Sequence, residues 1–423
     1  MYETSKLKNG LQCISKTIPH SESVTVLCLV GAGSRYENKS NRGISHFLEH
    51  MFFKGGEKFR NAKEVAVAID SIGGDFNAFT GKEYAGYYVK CSVEHIDTAC
   101  KVLSDMLLTA RFSQEEIEKE RGVIIEELNM YLDTPMYQVS WNFENFILGD
   151  HPLGWDTIGT REVILGVNSK DFHEYKNSLY TPENTVIAVA GGFKHKEVVE
   201  KLGNYFSNMN GKQTLNALGL KSHTPKSRVH IFEKNTEQGH FVLGGKGPEA
   251  KHKDAFVFKL LSVLCGGMMS SRMFLNVREA KGLCYYISTS TDDFKDVGII
   301  STRAGVDLKR ITDAVEGVLG EYKKLRENKV SKEELEKSKN FLKGKMKLRL
   351  EDSEEVAHMI GKQALLYGEI LDMKDVEEKI NAVTIEDIHR LANQVFAPEN
   401  LYISMIGPFE NKRDELEELM RKA

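Results

Sequence analysis

Apolar residues recur at i, i+3, i+4 and i+7 from Ile44 through Phe47, Leu48 and Met51. This spacing predicts a helix over Arg42–Phe53 with one buried face, stopped by Gly55-Gly56. The same period predicts helices over Lys63–Ile72, Glu94–Ala110, Gln114–Met130, Pro135–Leu148, Ser169–Leu179 and Lys196–Met209. In the second half it predicts Lys253–Leu264, Leu308–Glu327, Ser331–Leu350, Ser353–Tyr367, Ile385–Phe396 and Glu410–Arg421. Continuous or alternating apolar runs predict strands over Val24–Val30, Glu83–Val93, Thr185–Ala190, Arg228–Glu233, His240–Gly245, Tyr285–Thr291, Gly298–Ala304 and Glu399–Ile406. Leu7–Thr17 reads as a hairpin of two short strands around Asn9-Gly10, and Asp75–Thr80 as the partner of the strand after Gly81-Lys82.

Residues 210–226 have no apolar period and carry Gly, Ser, Thr and Pro, as a linker does. An internal repeat accompanies this break. Val167–Phe193 aligns without gaps on Val383–Phe409, with Asp171/Asp387, His173/His389, Pro182/Pro398, Asn184/Asn400 and Gly191/Gly407 among the identities. One helix–turn–strand unit used twice predicts an α+β protein of two duplicated domains, each a mixed or antiparallel sheet packed with helices. The expected boundaries are 1–212, a linker at 213–226, and 227–423. His173 and His389 then read as structural, because both copies carry them.

The chemistry sits on the first of these helices. His46 and His50 stand one turn apart on a shared face, with Glu49 beside them, in the pattern H-x-x-E-H. Two imidazoles so placed can hold a divalent ion; the same spacing also occurs on ordinary surface helices. Two features favour the metal. The trio is embedded in apolar residues, and a second acidic helix with suitable donors follows. In that helix Ser113 and Glu116 can form a capping box, Ile117, Ile124 and Leu128 make the apolar side, and Glu120 and Glu127 face one way, two turns apart.

His46-x-x-Glu49-His50 followed by Glu120-Arg121-x-Val123-Ile124-x-x-Glu127 resembles the pitrilysin-type zinc peptidases, the M16 family, which includes mitochondrial processing peptidases and bacterial relatives. The resemblance implies a LuxS/M16-like fold. It implies His46, His50 and Glu127 as ligands of one zinc ion per chain, Glu49 as general base and Glu120 as the acid behind the site. Glu126 would point about 100° away from Glu127. Phe76-Asn77-Ala78-Phe79, equally readable as a plain hairpin strand, corresponds to the family's open sheet edge, to which peptide adds as a strand. Arg278 and Tyr285 match its Arg-x6-Tyr element, for holding the substrate backbone and stabilising an oxyanion; Tyr286 should face the other side of the strand. The Gly266–Arg272 turn is expected to be structural, since no phosphate-loop Lys-Ser/Thr follows. The implied activity is a zinc metalloendopeptidase acting on extended or unfolded peptides in a chamber. With two domains and both half-sites on one chain, a homodimer is expected, with a heterodimer with an M16 paralogue as the alternative. The rivals are a non-catalytic structural or binding member of the fold and an unrelated zinc hydrolase of small molecules.

Composition narrows the rest. A net charge of −4 carries no nucleic-acid signature, and no apolar run is long enough for a membrane span. The N-terminus has neither a signal-peptide core nor an Arg-rich transit segment, which gives a cytoplasmic expectation. Six scattered cysteines without C-x-x-C read as buried free thiols. His151 and His240 read as a loop and a structural histidine.

Overall fold

Two sheets of matching strand order organise the chain. The structure, a computed structural model, describes residues 2–422. The strands are β1 (Glu3–Lys6), β2 (Gln12–Thr17), β3 (Ser23–Val30), β4 (Asp75–Thr80), β5 (Ala85–Ser92), β6 (Thr185–Gly191), β7 (Val229–Glu233), β8 (Gln238–Gly247), β9 (Cys284–Asp293), β10 (Gly298–Asp307) and β11 (Tyr402–Gly407). The first sheet runs β1-β2-β6-β3-β5-β4 and the second β7-β11-β8-β10-β9. Among the described residues only β2–β6 and β7–β11 pair in parallel; every other neighbour is antiparallel. Apart from β1, the sheets are topologically equivalent strand for strand, so the fold is the expected α+β duplication.

The repeat extends into its hydrogen bonds. Asn168 with Asp171, and Thr384 with Asp387, form the same capping box. Asn184 Nδ2 donates to the Gly31 and Leu179 carbonyls, and Asn400 Nδ2 to those of Lys246 and Val395. The acidic helix Gln114–Asp133 has its counterpart in Lys332–Arg349. Ser113, Glu115, Glu116, Glu118 and Lys119 recur there as Ser331, Glu333, Glu334, Glu336 and Lys337. Arg121 donates to the Ile164 and Val167 carbonyls, and its counterpart Lys339 to the Asn381 carbonyl, each closing the end of a neighbouring helix. In this register Glu120 becomes Ser338 and Glu127 becomes Lys345. The second copy has lost the acidic donors and gained a cation.

The chain divides into two units that are not contiguous in sequence: 1–128, 156–218 and 347–372 form one, and 129–155, 219–346 and 373–423 the other. The segment around the helix Pro135–Leu148 lies within the span expected for the first domain, yet it packs on the second sheet. Val139, Phe143 and Ile147 meet Val242, Ile299 and Ile406 there. Conversely, helix Ser353–Tyr367 places Val356, Ala357, Ile360 and Ala364 on Leu27, Leu29, Val186 and Ala188 of the first sheet. Burying Val356 and Ile360 alone is worth about 3–6 kcal/mol. Gly361 permits the close approach: a Cβ there would lie 2.5 Å from Leu29 Cδ1 and 2.9 Å from Ala188 Cβ. The two halves have thus exchanged equivalent helices.

Several sequence expectations need correction. The first hairpin strand is Glu3–Lys6, before Leu7. Helices Arg161–Gly166 and Met373–Ala382 were not expected. Gly266 and Gly267 of the expected turn end a π-helical segment, Val263–Gly267, and a second one, Met273–Glu279, follows Arg272. All six cysteines are buried and unpaired. No helix among the described residues is long and apolar enough to cross a membrane.

Candidate metal centre

The histidine helix spans Ile44–Phe52 and begins at a left-handed glycine, Gly43, with φ of 95°. Glycine is required here because a Cβ would lie 2.4 Å from the Ile158 carbonyl oxygen. The helix start is received by Glu37: its carboxylate accepts from the Gly43 and Ser45 N–H groups at 2.8 and 2.9 Å. A carboxylate at the positive end of a helix is favourable, but this one is buried, which pushes its pKa up to about 7. Below the helix, Phe47 meets Phe172 edge to face, and Phe52 meets Tyr87 and Phe112. With that face fixed in the core, His46, Glu49 and His50 are left together on the other side.

The acidic helix brings the remaining donors. Ile117, Ile124 and Leu128 are buried, which aims Glu120 and Glu127 at the histidines. Ser113 Oγ accepts from the Glu116 N–H at 3.4 Å and caps the start. The His46, His50 and Glu127 donor atoms all lie within 4.8 Å of one another. His46 Nε2 is 3.6 Å from Glu127 Oε1, and His50 Nε2 is 3.6 Å from Glu127 Oε2. These separations are too long for hydrogen bonds. They approximate the roughly 3.4 Å between donors that share a tetrahedral ion with ~2.0–2.1 Å bonds. Two imidazole nitrogens and one carboxylate form a donor set that suits zinc. Glu126 is exposed and outside the cluster.

The geometry agrees with ligation through Nε2, the atom that both histidines turn toward Glu127. Burial, reinforced by His50, holds His46 down to about 3, so its imidazole stays neutral and its lone pair is available. His46 Nδ1 is buried without a hydrogen-bond partner. His50 Nδ1 lies 2.8 Å from Glu120 Oε1, which leaves Nε2 for the ion. Burial acts to lower the His50 pKa, but the Glu120 hydrogen bond and the Glu49 and Glu127 charges outweigh it and leave it raised. Burial also opposes ionisation of Glu120, yet contacts with His50 and Lys54 hold it below the usual range. Burial raises Glu127. Glu49 is raised as well, by burial, against the opposing effect of a hydrogen bond from the Thr80 hydroxyl.

Thr80 ends β4, the outer strand of its sheet. Phe76, Ala78 and Thr80 share one face, and the Phe76 ring stands 5.7 Å from that of Phe53 at the end of the histidine helix. Asn77 is exposed on the other face, and its Oδ1 accepts from the Ala78 N–H at 2.9 Å. Phe79 points to that face too, edge to face with His358.

Arg278 and Tyr285 belong to the other unit. Arg278 lies over the Phe274 ring at 4.5 Å and 3.6 Å from Glu279. Tyr285 is the second residue of β9 and is 78% exposed, whereas Tyr286 turns to His240 Nδ1 at 3.0 Å. The alternation expected of the two tyrosines is present, and His240 is structural. His151 Nδ1 accepts from the Leu153 N–H and closes a turn. Sequence reasoning missed three residues of the centre: Glu37, Thr80 and Lys54. Only Lys54 carried a usable signal, one turn beyond His50.

Comparison with known proteins finds two family models that match the chain. Residues 12–161 match the family model described as insulinase (peptidase family M16), and residues 166–342 the one described as peptidase M16 inactive domain. The chain is 35% identical over 407 residues to an uncharacterized zinc protease of Bacillus subtilis, covering 96% of this chain and 98% of that one. It is 32% identical over 412 residues to an uncharacterized zinc protease of Rickettsia bellii, with the same two coverages. Among solved structures, a protease from Helicobacter pylori superposes with a TM-score of 0.90 at 24% identity, covering 96% of this chain and 99% of that one. A peptidase M16 inactive domain from Pseudomonas fluorescens gives 0.88 at 16%, covering 96% and 98%.

Proposed function

The chain belongs to the M16 peptidase family, and from that premise we propose that it is a zinc metalloendopeptidase that hydrolyses extended or unfolded peptides. The observation that carries this reading is the convergence of His46, His50 and Glu127 beside a half-buried carboxylate, Glu49. Zinc held there would supply an acidified water and a polarised scissile carbonyl. Glu49 takes the proton of the attacking water on a carboxylate oxygen and returns it to the departing amine nitrogen, so a C–O bond forms as the C–N bond breaks. Thr80 holds that carboxylate in place. β4 offers an unpaired edge beside it, and an extended peptide can pair along Phe76–Phe79, with Asn77 releasing the Ala78 N–H. Pairing through the backbone accepts many sequences.

Arg278 and Tyr285 are proposed to steady the substrate and the oxyanion from a second chain, in a chamber formed by a homodimer with two active sites. The exposure of Tyr285 supports a role outside its own unit. The second half itself carries Lys345 where Glu127 stands in the first, in keeping with one zinc per chain. Zinc content and cleavage of a mixed peptide library, for the parent and Glu49→Gln, test the reading. About one zinc per chain in both, with cleavage lost only in the variant, is the expected result. Zinc bound by a parent that cuts no peptide would point to a non-catalytic member. Mixing Glu49→Gln with Tyr285→Phe chains tests sharing across subunits, which predicts partial recovery of activity.

A further inference from the structure

Lys54 lies one helical turn beyond His50, and both residues reach the same carboxylate. His50 Nδ1 is 2.8 Å from Glu120 Oε1, and Lys54 Nζ pairs with Glu120 Oε2. The chain just past the helix still follows its path, because the Phe53 and Lys54 N–H groups donate to the His50 and Met51 carbonyls at 3.2 Å each. The Glu120 side chain is 8% exposed and that of Lys54 22%, so water has little access to replace either contact. Both oxygens of a carboxylate on one helix are therefore gripped by residues of the other. These are the two helices that share the donor set: His46 and His50 on one, and Glu127, two turns beyond Glu120, on the other.

We propose that Lys54 is a positioning residue of the metal centre. Acting through Glu120, it clamps the acidic helix to the histidine helix and keeps the three donors at a spacing ready for zinc before the ion arrives. The inference rests on the zinc reading above. A ligand imidazole is oriented by the partner of its other nitrogen, and that partner orients only if it is itself held. Without the ammonium, Glu120 keeps one contact and is free to turn about it. Both the His50 ring and the distance to Glu127 then lose definition. A smaller fraction of chains presents the metal-ready arrangement, and apparent affinity falls by that fraction.

The sign of the effect separates this role from a purely electrostatic one. Glu49, Glu120 and Glu127 already surround the site, and a lysine acting only as a nearby positive charge would repel the ion. Its removal would then tighten zinc binding, whereas removal of a clamp weakens it.

The experiment measures zinc dissociation constants of the metal-stripped chain against a chromophoric chelator. Lys54→Met keeps the apolar stem and should weaken zinc about tenfold, the scale of lost outer partners. Lys54→Arg keeps charge and reach and should stay within about threefold of the parent. Lys54→Met combined with Glu120→Gln should bind no more weakly than Glu120→Gln alone, since the lysine acts through that carboxylate. Thermal midpoints of the metal-stripped variants establish that folding is not what the chelator reads, and Lys54→Gln replaces Lys54→Met if the latter does not fold. Zinc bound by Lys54→Met as tightly as by the parent, or more tightly, overturns the proposal, as do additive losses in the double variant. A parent that takes up no zinc overturns instead the reading on which the proposal stands.

Discussion

Thr80 Oγ1 donates a hydrogen bond to Glu49 Oε2, so the last residue of the open edge strand touches the candidate base directly. The contact joins the place where a peptide would pair to the group that would move its proton. Thr80→Val removes the hydroxyl but keeps the shape. Its expected effect is a kcat lower by about 10- to 100-fold, with KM within threefold, because orientation of the base is lost while the backbone edge remains. Thr80→Ser should recover most of the rate. Steady-state kinetics on a single peptide, with zinc content determined in parallel, check this; a raised KM at unchanged kcat would count against it.

Glu37 gives a pH dependence of stability with a definite sign. Its pKa rises from the ordinary 4.5 to about 7 on folding, through burial. Between those values the unfolded chain releases a proton that the folded chain keeps, so this group costs stability as pH rises through the window. The full cost is on the order of 3 kcal/mol. Glu37→Gln cannot ionise. The thermal midpoint of the metal-stripped parent should therefore fall relative to that of Glu37→Gln as pH goes from about 5 to 8. A difference independent of pH would refute the assignment.

Gly43 faces Gly159 backbone to backbone. A Cβ on Gly43 would stand 2.6 Å from Gly159 Cα as well as 2.4 Å from the Ile158 carbonyl oxygen. Gly43→Ala adds this clash to the strain of a left-handed residue, itself about 1–3 kcal/mol. A drop of several degrees in thermal midpoint is expected, together with weaker zinc binding, because the displaced element is the histidine helix. Calorimetry and metal analysis of the purified variant provide the check.

The helix exchange makes a prediction that sequence position alone would invert. Phe143 lies in the first half of the chain but packs in the second sheet, and Ile360 does the reverse. Each →Ala change should cost about 2–5 kcal/mol. Hydrogen exchange read by mass spectrometry should show Phe143→Ala loosening β8 and β11, and Ile360→Ala loosening β3 and β6. Loosening confined to the half that carries the substitution would contradict the exchange.

What the sequence revealed follows from the range of the interactions involved. His46, His50, Glu120 and Glu127 are fixed by helical spacing, a local property, and the structure places them together. The duplication was visible through the Pro-Glu-Asn turn and its flanking helix and strand. Helix Met373–Ala382 went unread although Val376 and Ile380 are buried one turn apart along it. Strand β1 was missed because none of its residues is buried. Thr80 reaches the centre by pairing with a segment 31 residues away, and Glu37 through a turn that leads it back to the helix start, contacts that no helical or strand spacing rule encodes. The exchanged helices are amphipathic in sequence, but amphipathicity states only that a face is buried, not against which sheet.

Helix Ser353–Tyr367 also has a consequence for the order of synthesis. The half that carries the candidate metal centre leaves the ribosome first, yet the lid over the apolar face of its sheet is encoded more than a hundred residues past the linker. Until that stretch emerges, Leu27, Leu29 and Ala188 lack their partners Val356, Ala357 and Ile360, and the nascent first half remains an unfinished layer. A chain with this wiring completes its histidine-bearing unit only after most of its residues have been made, so the proposed metal centre matures late in synthesis.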